Sequence, residues 1–291
     1  MICSVNHLLL AATRRLEAAG IDADVARTEA RVLLETALGV TRTELRLRPG
    51  RDVTGNDAAH FNALVSRRER REPLAYIVGE REFYGLPFFV SPAVLIPRPE
   101  TEFLVEAVLR HIAGRENTRV ADIGTGSGAI AVAVAVNAPG DAHVWATDVS
   151  PDALTVAARN TARHSLNDRV TLLEGDAPAP LSAFAPFDVI ASNPPYVAPD
   201  DILELQSEVR DWEPRIALGT HPDPLHFYRL FARDAPALLA PGGLLAVEVG
   251  QGQADTVADL WRGAAGLQDV TVTNDYAGIG RVVAGVSGGS R

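Results

Sequence analysis

The sequence predicts an α/β protein, with a doubly wound, mostly parallel sheet preceded by a small helical domain. Two observations carry this prediction. From residue 118 onwards, short apolar runs rich in β-branched residues alternate with helical patterns, as in a parallel sheet covered by helices. Before residue 73 the apolar residues recur at helical spacing only. A chain of 291 residues has room for two unequal domains with a substantial core.

The N-terminal domain is expected to consist of short helices. Gly20 and Gly39 predict the ends of the first two helices, and Asp24 predicts the N-cap of the second one. Asn56 or Asp57 is expected to start the last long helix of this domain. These short apolar-periodic segments indicate a small α-helical domain.

The basic run at 67–71 closes that last helix and has two interpretations. It either contacts a phosphate-rich partner or forms a solvated helix face with i,i+4 ion pairs, and we favour the second. All 27 basic residues of the chain are Arg, which excludes Schiff-base chemistry and a Walker-type lysine. Residues 1–90 hold 13 Arg against 12 acidic residues, whereas 91–291 hold 14 against 25, a net charge of −11. So acidic a C-terminal part argues against non-specific nucleic-acid binding.

The segment 81–97 has aromatic and β-branched residues around Gly and Pro, and predicts a β-hairpin that joins the two domains. The predicted regions are a helical domain at 1–79, a hairpin linker at 80–98, a sheet domain at 99–286 and a disordered tail at 287–291. The predicted strands of the sheet domain are 119–123, 143–147, 170–173, 187–192, 243–249, 269–273 and 280–283. Its predicted helices are 100–112, 128–137, 151–165, 224–239 and 253–262. The last two strands are joined by a loop too short for a parallel crossover, so they should pair antiparallel at one end of the sheet.

The glycine-rich segment 122–128 closes the first predicted strand of this sheet and opens a helix. Glycines at such a turn let the backbone bend tightly and approach a ligand closely. Asp148 ends the second strand about twenty residues later, where a carboxylate can accept both hydroxyls of a ribose. The glycines alone also fit a dinucleotide fingerprint, so the pattern indicates a nucleoside without identifying it.

The loop Asn193-Pro194-Pro195-Tyr196 follows the fourth predicted strand, at the edge of the sheet where ligands bind. Two consecutive prolines cannot continue a ladder and stiffen the loop. The loop therefore offers the amide oxygen of Asn193, the backbone carbonyl of Pro194 and the ring of Tyr196 in fixed positions. Two acceptors and a flat ring suit a planar group that carries an NH2, with the tyrosine ring stacked on it.

The loop 193–196, called the acceptor loop below, and the antiparallel last strand favour S-adenosylmethionine over NAD as the ligand. This half of the chain resembles the class I, Rossmann-like methyltransferases that use S-adenosyl-L-methionine. The resemblance implies S-adenosyl-L-homocysteine as the product. It implies that 124–128 hold the methionine part, that Asp148 holds the ribose and that Asp176 lies near the adenine. The implied cofactor contacts are Asp122, Gly124, Thr125, Gly126, Ser127, Gly128, Asp148, Asp176, Ala177 and Asn193. Members often carry an aromatic residue at the position of Ala177, so stacking on the adenine is lost here or supplied by another residue.

Further segments narrow the resemblance. They are Ile-Pro-Arg-Pro-Glu-Thr-Glu at 96–102, Glu-Val-Arg-Asp-Trp-Glu-Pro-Arg at 208–215 with Ala217-Leu218, Tyr228-Arg229 and Glu-Val-Gly-Gln-Gly-Gln at 248–253. With the helical domain they closely resemble the bacterial peptide chain release factor glutamine methyltransferases. That resemblance implies methylation of the glutamine amide in the Gly-Gly-Gln loop of class 1 release factors, with the loop 193–196 catalytic and the helical domain gripping the release factor. Arg98 and Glu100 either line the acceptor pocket or form an inter-domain salt bridge.

Three alternatives stay open: the same chemistry on a ribosomal-protein glutamine, an adenine amino-methyltransferase acting on DNA or RNA, and a non-catalytic S-adenosylmethionine sensor. The seven His residues lack close ligand spacing, so no metal site is expected, and the single Cys3 excludes an internal disulfide. No apolar run reaches the ~20 residues of a membrane span. Arg14-Arg15 follow an apolar patch, the reverse of a signal peptide, so a cytoplasmic location without membrane contact is expected.

Overall fold

The structure, a computed structural model, describes residues 3–47, 52–176, 178–219, 221–264 and 266–288. The chain divides into two compact units, a helical unit and a sheet unit. The helical unit comprises Met1–Gly79 and Gln206–Trp212, and the sheet unit comprises Glu80–Leu205 and Glu213–Arg291. The short second segment of the helical unit falls inside the region predicted as the sheet domain. None of the helices among the described residues has the length and the apolar character needed to cross a bilayer.

The helices, in chain order, are α1 (Val5–Ala18), α2 (Ala23–Leu38), α3 (Arg42–Leu47), α4 (Gly55–Glu69), α5 (Leu74–Val78), α6 (Glu102–Ile112), α7 (Ala129–Asn137), α8 (Pro151–Arg163), α9 (Ser207–Arg210), α10 (Arg215–Leu218), α11 (His226–Asp234) and α12 (Ala254–Arg262). The strands are β1 (Cys3–Ser4), β2 (Asp52–Val53), β3 (Glu80–Phe83), β4 (Leu86–Phe89), β5 (Arg119–Ile123), β6 (His143–Asp148), β7 (Val170–Glu174), β8 (Phe187–Ser192), β9 (Leu239–Glu248), β10 (Leu267–Asn274) and β11 (Gly280–Ser287). Short 3-10 turns occupy Pro99–Thr101, Ala179–Phe184, Asp201–Glu204 and Ala235–Ala237.

The helix caps of the helical unit lie one turn or less before the predicted ones. Asp22, not Asp24, caps α2 by accepting a hydrogen bond from the backbone N–H of Asp24 at 3.0 Å. Thr54 caps α4 by accepting from the N–H of Asp57 at 3.2 Å, so the expected start at Asn56 or Asp57 is wrong. A cap residue must precede the helical turn, and both predicted caps already lie inside it.

Two arginines of the basic run at 67–71 do not form the solvated face that we favour from the sequence. The side chain of Arg68 is buried and donates to Glu29 of α2 at 2.7 Å and to Glu208 of α9 at 2.8 Å. Arg71 donates to the other oxygen of Glu208 at 2.9 Å. Since a buried charge must be paired to be tolerated, these ion pairs explain why Gln206–Trp212 belongs to the helical unit.

The seven-stranded sheet has the order β10-β11-β9-β8-β5-β6-β7. Strand β11 runs antiparallel to both of its neighbours, and the pairs β9–β8, β8–β5, β5–β6 and β6–β7 are parallel. The α/β class with an antiparallel last strand is thereby confirmed. From β5 the chain builds β6 and β7 on one side and β8 and β9 on the other. Ligands of open α/β sheets bind outside the carboxyl ends of the strands at such a switch point.

The sheet is buried on both faces. Val120 of β5 joins one apolar cluster, whereas Ala121 and Ile123 join the cluster on the opposite face, as the alternation of a strand requires. Phe83 and Phe88 of the hairpin β3–β4 are buried in the first of these clusters. The hairpin is therefore part of the core of the sheet unit rather than a free linker.

The C-terminal boundary differs from the prediction. Ser287, expected as the first residue of a disordered tail, pairs with Leu267 in the ladder between β10 and β11. Its side chain is buried, so the ordered strand includes it. The remainder of the expected tail lies outside the described residues after Gly288.

Candidate active site

A cavity opens at the carboxyl ends of the central strands of the sheet unit. Its wall includes the loops that follow β5, β6, β7 and β8, which are the loops on both sides of the switch point. The cavity-lining residues that belong to these loops are Gly124, Thr125, Gly126, Ser127, Asp148, Val149, Ser150, Gly175, Asp176, Asn193, Pro194 and Pro195. The two predicted sites thus share one cavity: the glycine-rich segment 122–128, called the glycine loop below, and the acceptor loop 193–196.

The loop after β5 needs glycine at two positions that face the cavity. Gly124 and Gly126 have φ values of +72° and +54°, and a Cβ atom added at either would meet nothing within 4 Å. The backbone N–H groups of Gly124 and Thr125 both donate to the carbonyl of Thr147 at 2.9 Å, which ties the loop to β6. Left-handed backbone beside open space suits the close approach of a ligand.

Gly128 does not line the cavity, although the sequence suggested a cofactor contact there. A Cβ atom at this position would lie 3.3 Å from the Cβ of Ala157 in α8. The third glycine therefore lets α8 pack closely against the start of α7, which is a structural use of the residue.

Asp148 lies at the end of β6, half-buried in the cavity wall. One oxygen accepts from the N–H of Gly126 at 2.8 Å and the other from the N–H of Ser150 at 2.9 Å. Each carboxylate oxygen accepts up to two hydrogen bonds, so both keep a lone pair for a ligand. A fixed carboxylate of this kind fits the two hydroxyls of a ribose.

Asp122, for which the resemblance implies a cofactor contact, is fully buried behind the glycine loop and does not line the cavity. Its Oδ2 accepts from the hydroxyl of Thr125 at 2.6 Å and from the N–H of Ala131 at 3.2 Å. Burial raises the pKa of this carboxyl to about 7. Asp122 therefore holds Thr125 and the start of α7 in place, and the cavity contact falls to Thr125.

Asp122→Asn is expected to flatten the pH dependence of stability. Because the folded-state pKa is raised above the ordinary value of about 4, Asp122 stabilises the protein fully at low pH, and this contribution is lost as pH rises through about 7. Wild type should lose on the order of 2–4 kcal/mol of unfolding free energy relative to the variant between pH 4 and pH 8. Urea unfolding across this range checks it, and parallel curves for the two proteins would contradict it.

The acceptor loop is fixed to the neighbouring strand. The hydroxyl of Ser192 donates to the carbonyl of Ile123 at 2.8 Å, which links the ends of β8 and β5 across the switch point. The Nδ2 of Asn193 donates to the hydroxyl oxygen of Thr101 at 3.3 Å. No hydrogen bond from a described residue reaches Asn193 Oδ1, so this oxygen is available as an acceptor.

Tyr196, whose ring is predicted to stack on the acceptor, is not among the residues that line the cavity. Its hydroxyl donates to Oε1 of Glu248 at 3.4 Å, and its carbonyl accepts from Nε2 of Gln253 at 3.2 Å. The ring lies against Gly250, where a Cβ atom would come within 2.9 Å of it. Burial raises the pKa of the Tyr196 hydroxyl, with the Glu248 carboxylate as the next cause. The residue fastens the loop to the end of β9.

Arg98 lines the cavity, but Glu100 does not. Arg98 Nη2 donates to Oε1 of Glu213 at 2.6 Å, and the Glu213 side chain is only 1% exposed. Both residues belong to the sheet unit, so the expected inter-domain salt bridge is wrong. Burial raises the pKa of Glu213, although Arg98 opposes the shift.

The adenine end of the expected cofactor site is only partly described. Gly175 and Asp176 line the cavity, and the side chain of Asp176 is exposed. Ala177 lies outside the described residues. The apolar side chain of Val149 stands beside Asp148 in the wall and is 49% exposed, a position that the sequence analysis missed. The sequence signal that indicates it is an apolar residue placed directly after the carboxylate that ends the predicted strand.

Comparisons with known proteins support the same reading. Residues 7–79 match the family described as PrmC N-terminal domain, and residues 99–208 match the Methyltransferase small domain. A "Release factor glutamine methyltransferase" from Moorella thermoacetica is 45% identical over 275 residues, which is 94% of this chain and 95% of the relative. Another of that name from Geobacter sulfurreducens is 46% identical over 260 residues and 89% of each chain.

A solved structure supports the fold. A methyltransferase from Pyrococcus furiosus aligns with 77% of this chain and 98% of its own, with a TM-score of 0.54 and 20% identity. The sequence relatives are far more similar, and they match over nearly the whole length of both chains. This chain therefore belongs to the release factor glutamine methyltransferases, a family of S-adenosyl-L-methionine-dependent enzymes.

Proposed function

We propose that this protein transfers a methyl group from S-adenosyl-L-methionine to the side-chain amide nitrogen of the glutamine in the Gly-Gly-Gln loop of class 1 peptide chain release factors. One observation carries the chemistry. The free amide oxygen of Asn193 lies in the wall of the same cavity as the glycine loop and Asp148. Donor and acceptor sites at one switch point are what a direct group transfer requires.

The residues present fit the cofactor. The open space over Gly124 and Gly126 admits the methionine part, and the spare lone pairs of Asp148 suit the ribose. Bound S-adenosylmethionine supplies an electrophilic methyl group on a sulfonium. Thr125 and Ser127, both buried at the loop, complete the cradle on the side of α7.

A glutamine amide nitrogen is a poor nucleophile because its lone pair is delocalised into the carbonyl group. The Oδ1 of Asn193 and the carbonyl oxygen of Pro194 can each accept one of its two N–H bonds, which fixes the nitrogen and favours a pyramidal geometry. Bound S-adenosylmethionine would supply the methyl group for the new C–N bond, its sulfur would keep the electron pair of the S–C bond, and the surplus proton of the methylated nitrogen would leave to water. Positioning therefore accounts for most of the rate, and no general base is required.

The helical unit is the proposed binding surface for the release factor. Its residues 7–79 are the part that matches the PrmC N-terminal domain, whereas the cavity lies wholly in the sheet unit. We place the reaction in the cytoplasm, where release factors act, with no membrane contact and no direct nucleic-acid contact. The −11 charge of residues 91–291 supports a protein substrate over DNA or RNA.

The substrate assignment can be tested by competition. Purified protein with methyl-labelled S-adenosylmethionine would receive equal concentrations of an unmodified class 1 release factor, a ribosomal-protein glutamine substrate and a DNA duplex. We expect label in the release factor only, and none when its Gly-Gly-Gln glutamine is replaced by alanine. Label in the ribosomal protein or the DNA instead would overturn the proposal in favour of the corresponding alternative.

A further inference from the structure

The hydroxyl of Thr101 lies between the Asn193 amide and the carboxylate of Glu248. Thr101 Oγ1 is 3.3 Å from Asn193 Nδ2 and 2.5 Å from Glu248 Oε2. Thr101 is 5% exposed and Glu248 is 2% exposed, so bulk water competes little for the bond between these two side chains. Thr101 stands directly before α6 and Glu248 ends β9, so the chain of bonds joins the acceptor loop to two rigid elements.

The donor-to-acceptor direction of these two hydrogen bonds determines which way the Asn193 amide points. An ionised carboxylate only accepts, so Glu248 takes the single hydroxyl proton of Thr101. The oxygen of Thr101 is then left as an acceptor, and it selects the NH2 group of Asn193 rather than its carbonyl. The Oδ1 of Asn193 is thereby turned away from Thr101, where it can receive a hydrogen bond from a substrate.

We propose that Thr101 and Glu248 are positioning residues that hold Asn193 Oδ1 as the acceptor for the substrate amide. The inference rests on the proposed function, since it gives Asn193 its role there. If the amide were flipped, its NH2 would oppose the N–H groups of the glutamine and the grip would be lost. Specificity for an NH2-bearing substrate is then set through Asn193 by Thr101, which lines the cavity, and by Glu248, which does not.

Neither helix capping nor ion pairing accounts for these two residues. Thr101 occupies the N-cap position of α6, yet its side chain makes no capping hydrogen bond. Among the described residues, Glu248 makes no salt bridge, although it is almost fully buried. Arg281, which faces it from β11, is paired with Asp275 at 2.9 Å. A buried carboxyl without a cation is costly, and its retention points to the hydrogen bonds that it accepts.

The hydrogen bonds that link Glu248, Thr101 and Asn193 should also respond to pH. Four charged or titratable groups face Glu248: Glu100 before α6, Tyr196 of the acceptor loop, Tyr228 of α11 and Arg281 of β11. Burial raises the pKa of Glu248 to about 7, and burial also raises the pKa values of both tyrosines above their ordinary value. Protonated Glu248 can donate to Thr101, which frees the hydroxyl to hold Asn193 in the flipped orientation. Turnover should therefore fall below about pH 7.

The test compares Thr101→Val with Thr101→Ser. Valine keeps the volume but removes the hydroxyl, and we expect kcat to fall on the order of tenfold to a hundredfold while the Kd of S-adenosylmethionine changes little. Serine restores the hydroxyl and should recover most of the turnover. Thr118→Val is the matched control, because Thr118 is only 2% exposed, its hydroxyl has no hydrogen-bond partner among the described residues, and it lies outside the cavity.

A pH profile and a double variant separate positioning from a merely structural effect. In Glu248→Gln the ratio of turnover at pH 6 to that at pH 8 should lie closer to one than in wild type. Adding Thr101→Val to Asn193→Ala should cause no further loss, since the threonine acts through the asparagine. Wild-type turnover by Thr101→Val, or additive losses in the double variant, would overturn the inference.

The last readout does not depend on the substrate. Proton exchange of the Asn193 side-chain NH2, followed by NMR and assigned with Asn193→Ala, should be at least several-fold faster in Thr101→Val than in wild type or Thr118→Val. Equal exchange rates would overturn the positioning role even if no release factor is methylated. Failure of the proposed function alone would leave this difference in exchange intact.

Discussion

Asn193→Ala is expected to lower kcat for release-factor methylation by on the order of 10²–10³-fold, the usual cost of removing one fixed group that binds the transition state. The reason is the loss of the Oδ1 acceptor, which leaves one N–H of the substrate amide unheld. The Kd of S-adenosylmethionine should change by less than about threefold, because the glycine loop and Asp148 are untouched. Steady-state kinetics and calorimetry check the two quantities.

The matched control for this change is Asn137→Ala. Asn137 ends α7, is exposed, and does not line the cavity. Its replacement should leave both kcat and cofactor affinity as in wild type. Full turnover by Asn193→Ala would contradict the mechanism, and a large loss of cofactor affinity would move Asn193 from the acceptor site to the cofactor site.

Asp148→Ala is expected to weaken S-adenosylmethionine binding on the order of 100-fold, since a charged acceptor of two hydroxyls contributes roughly 1.5–3 kcal/mol. The change also frees the N–H groups of Gly126 and Ser150, which loosens the glycine loop. At saturating cofactor, kcat should recover much more fully than in Asn193→Ala. Isothermal calorimetry with S-adenosylhomocysteine, which lacks the sulfonium charge, measures the ribose contact without the attraction between Asp148 and the sulfonium.

Asp152→Ala provides the control for charge. Asp152 lies in the first turn of α8, four residues from Asp148, and is exposed and outside the cavity lining. It removes the same charge from the same region without touching the loop. Equal weakening by both variants would show that Asp148 acts through its charge alone, and unchanged affinity in Asp148→Ala would remove it from the site.

The sheet and both cavity loops were predictable because their signals are local. Apolar periodicity locates the strands, and the short loop before β11 excludes a parallel crossover. Asn193 and Asp148 each follow a predicted strand, and parallel strands present their carboxyl ends at one edge. The glycine loop follows β5 in the same way, so it is predicted to lie beside Asn193 and Asp148.

The differences from the prediction arise where a partner is distant in sequence or where the direction of a side chain is not visible in the motif. Arg68 is buried because Glu208, 140 positions away, lies beside it, and no local pattern shows that pair. Asp122 belongs to the glycine motif, but strand alternation turns its side chain into the core instead of the cavity. Tyr196 was assigned by its aromatic ring, whereas its hydroxyl finds Glu248 at the end of another strand.

The most direct test of the account is to locate the methyl group. An unmodified full-length class 1 release factor would be incubated with this protein and S-adenosylmethionine, digested and sequenced by tandem mass spectrometry. The account predicts one added methyl group on the side-chain amide of the Gly-Gly-Gln glutamine, absent when the Asn193→Ala variant is used. Methylation at any other residue, or none under conditions in which the cofactor binds, would contradict it.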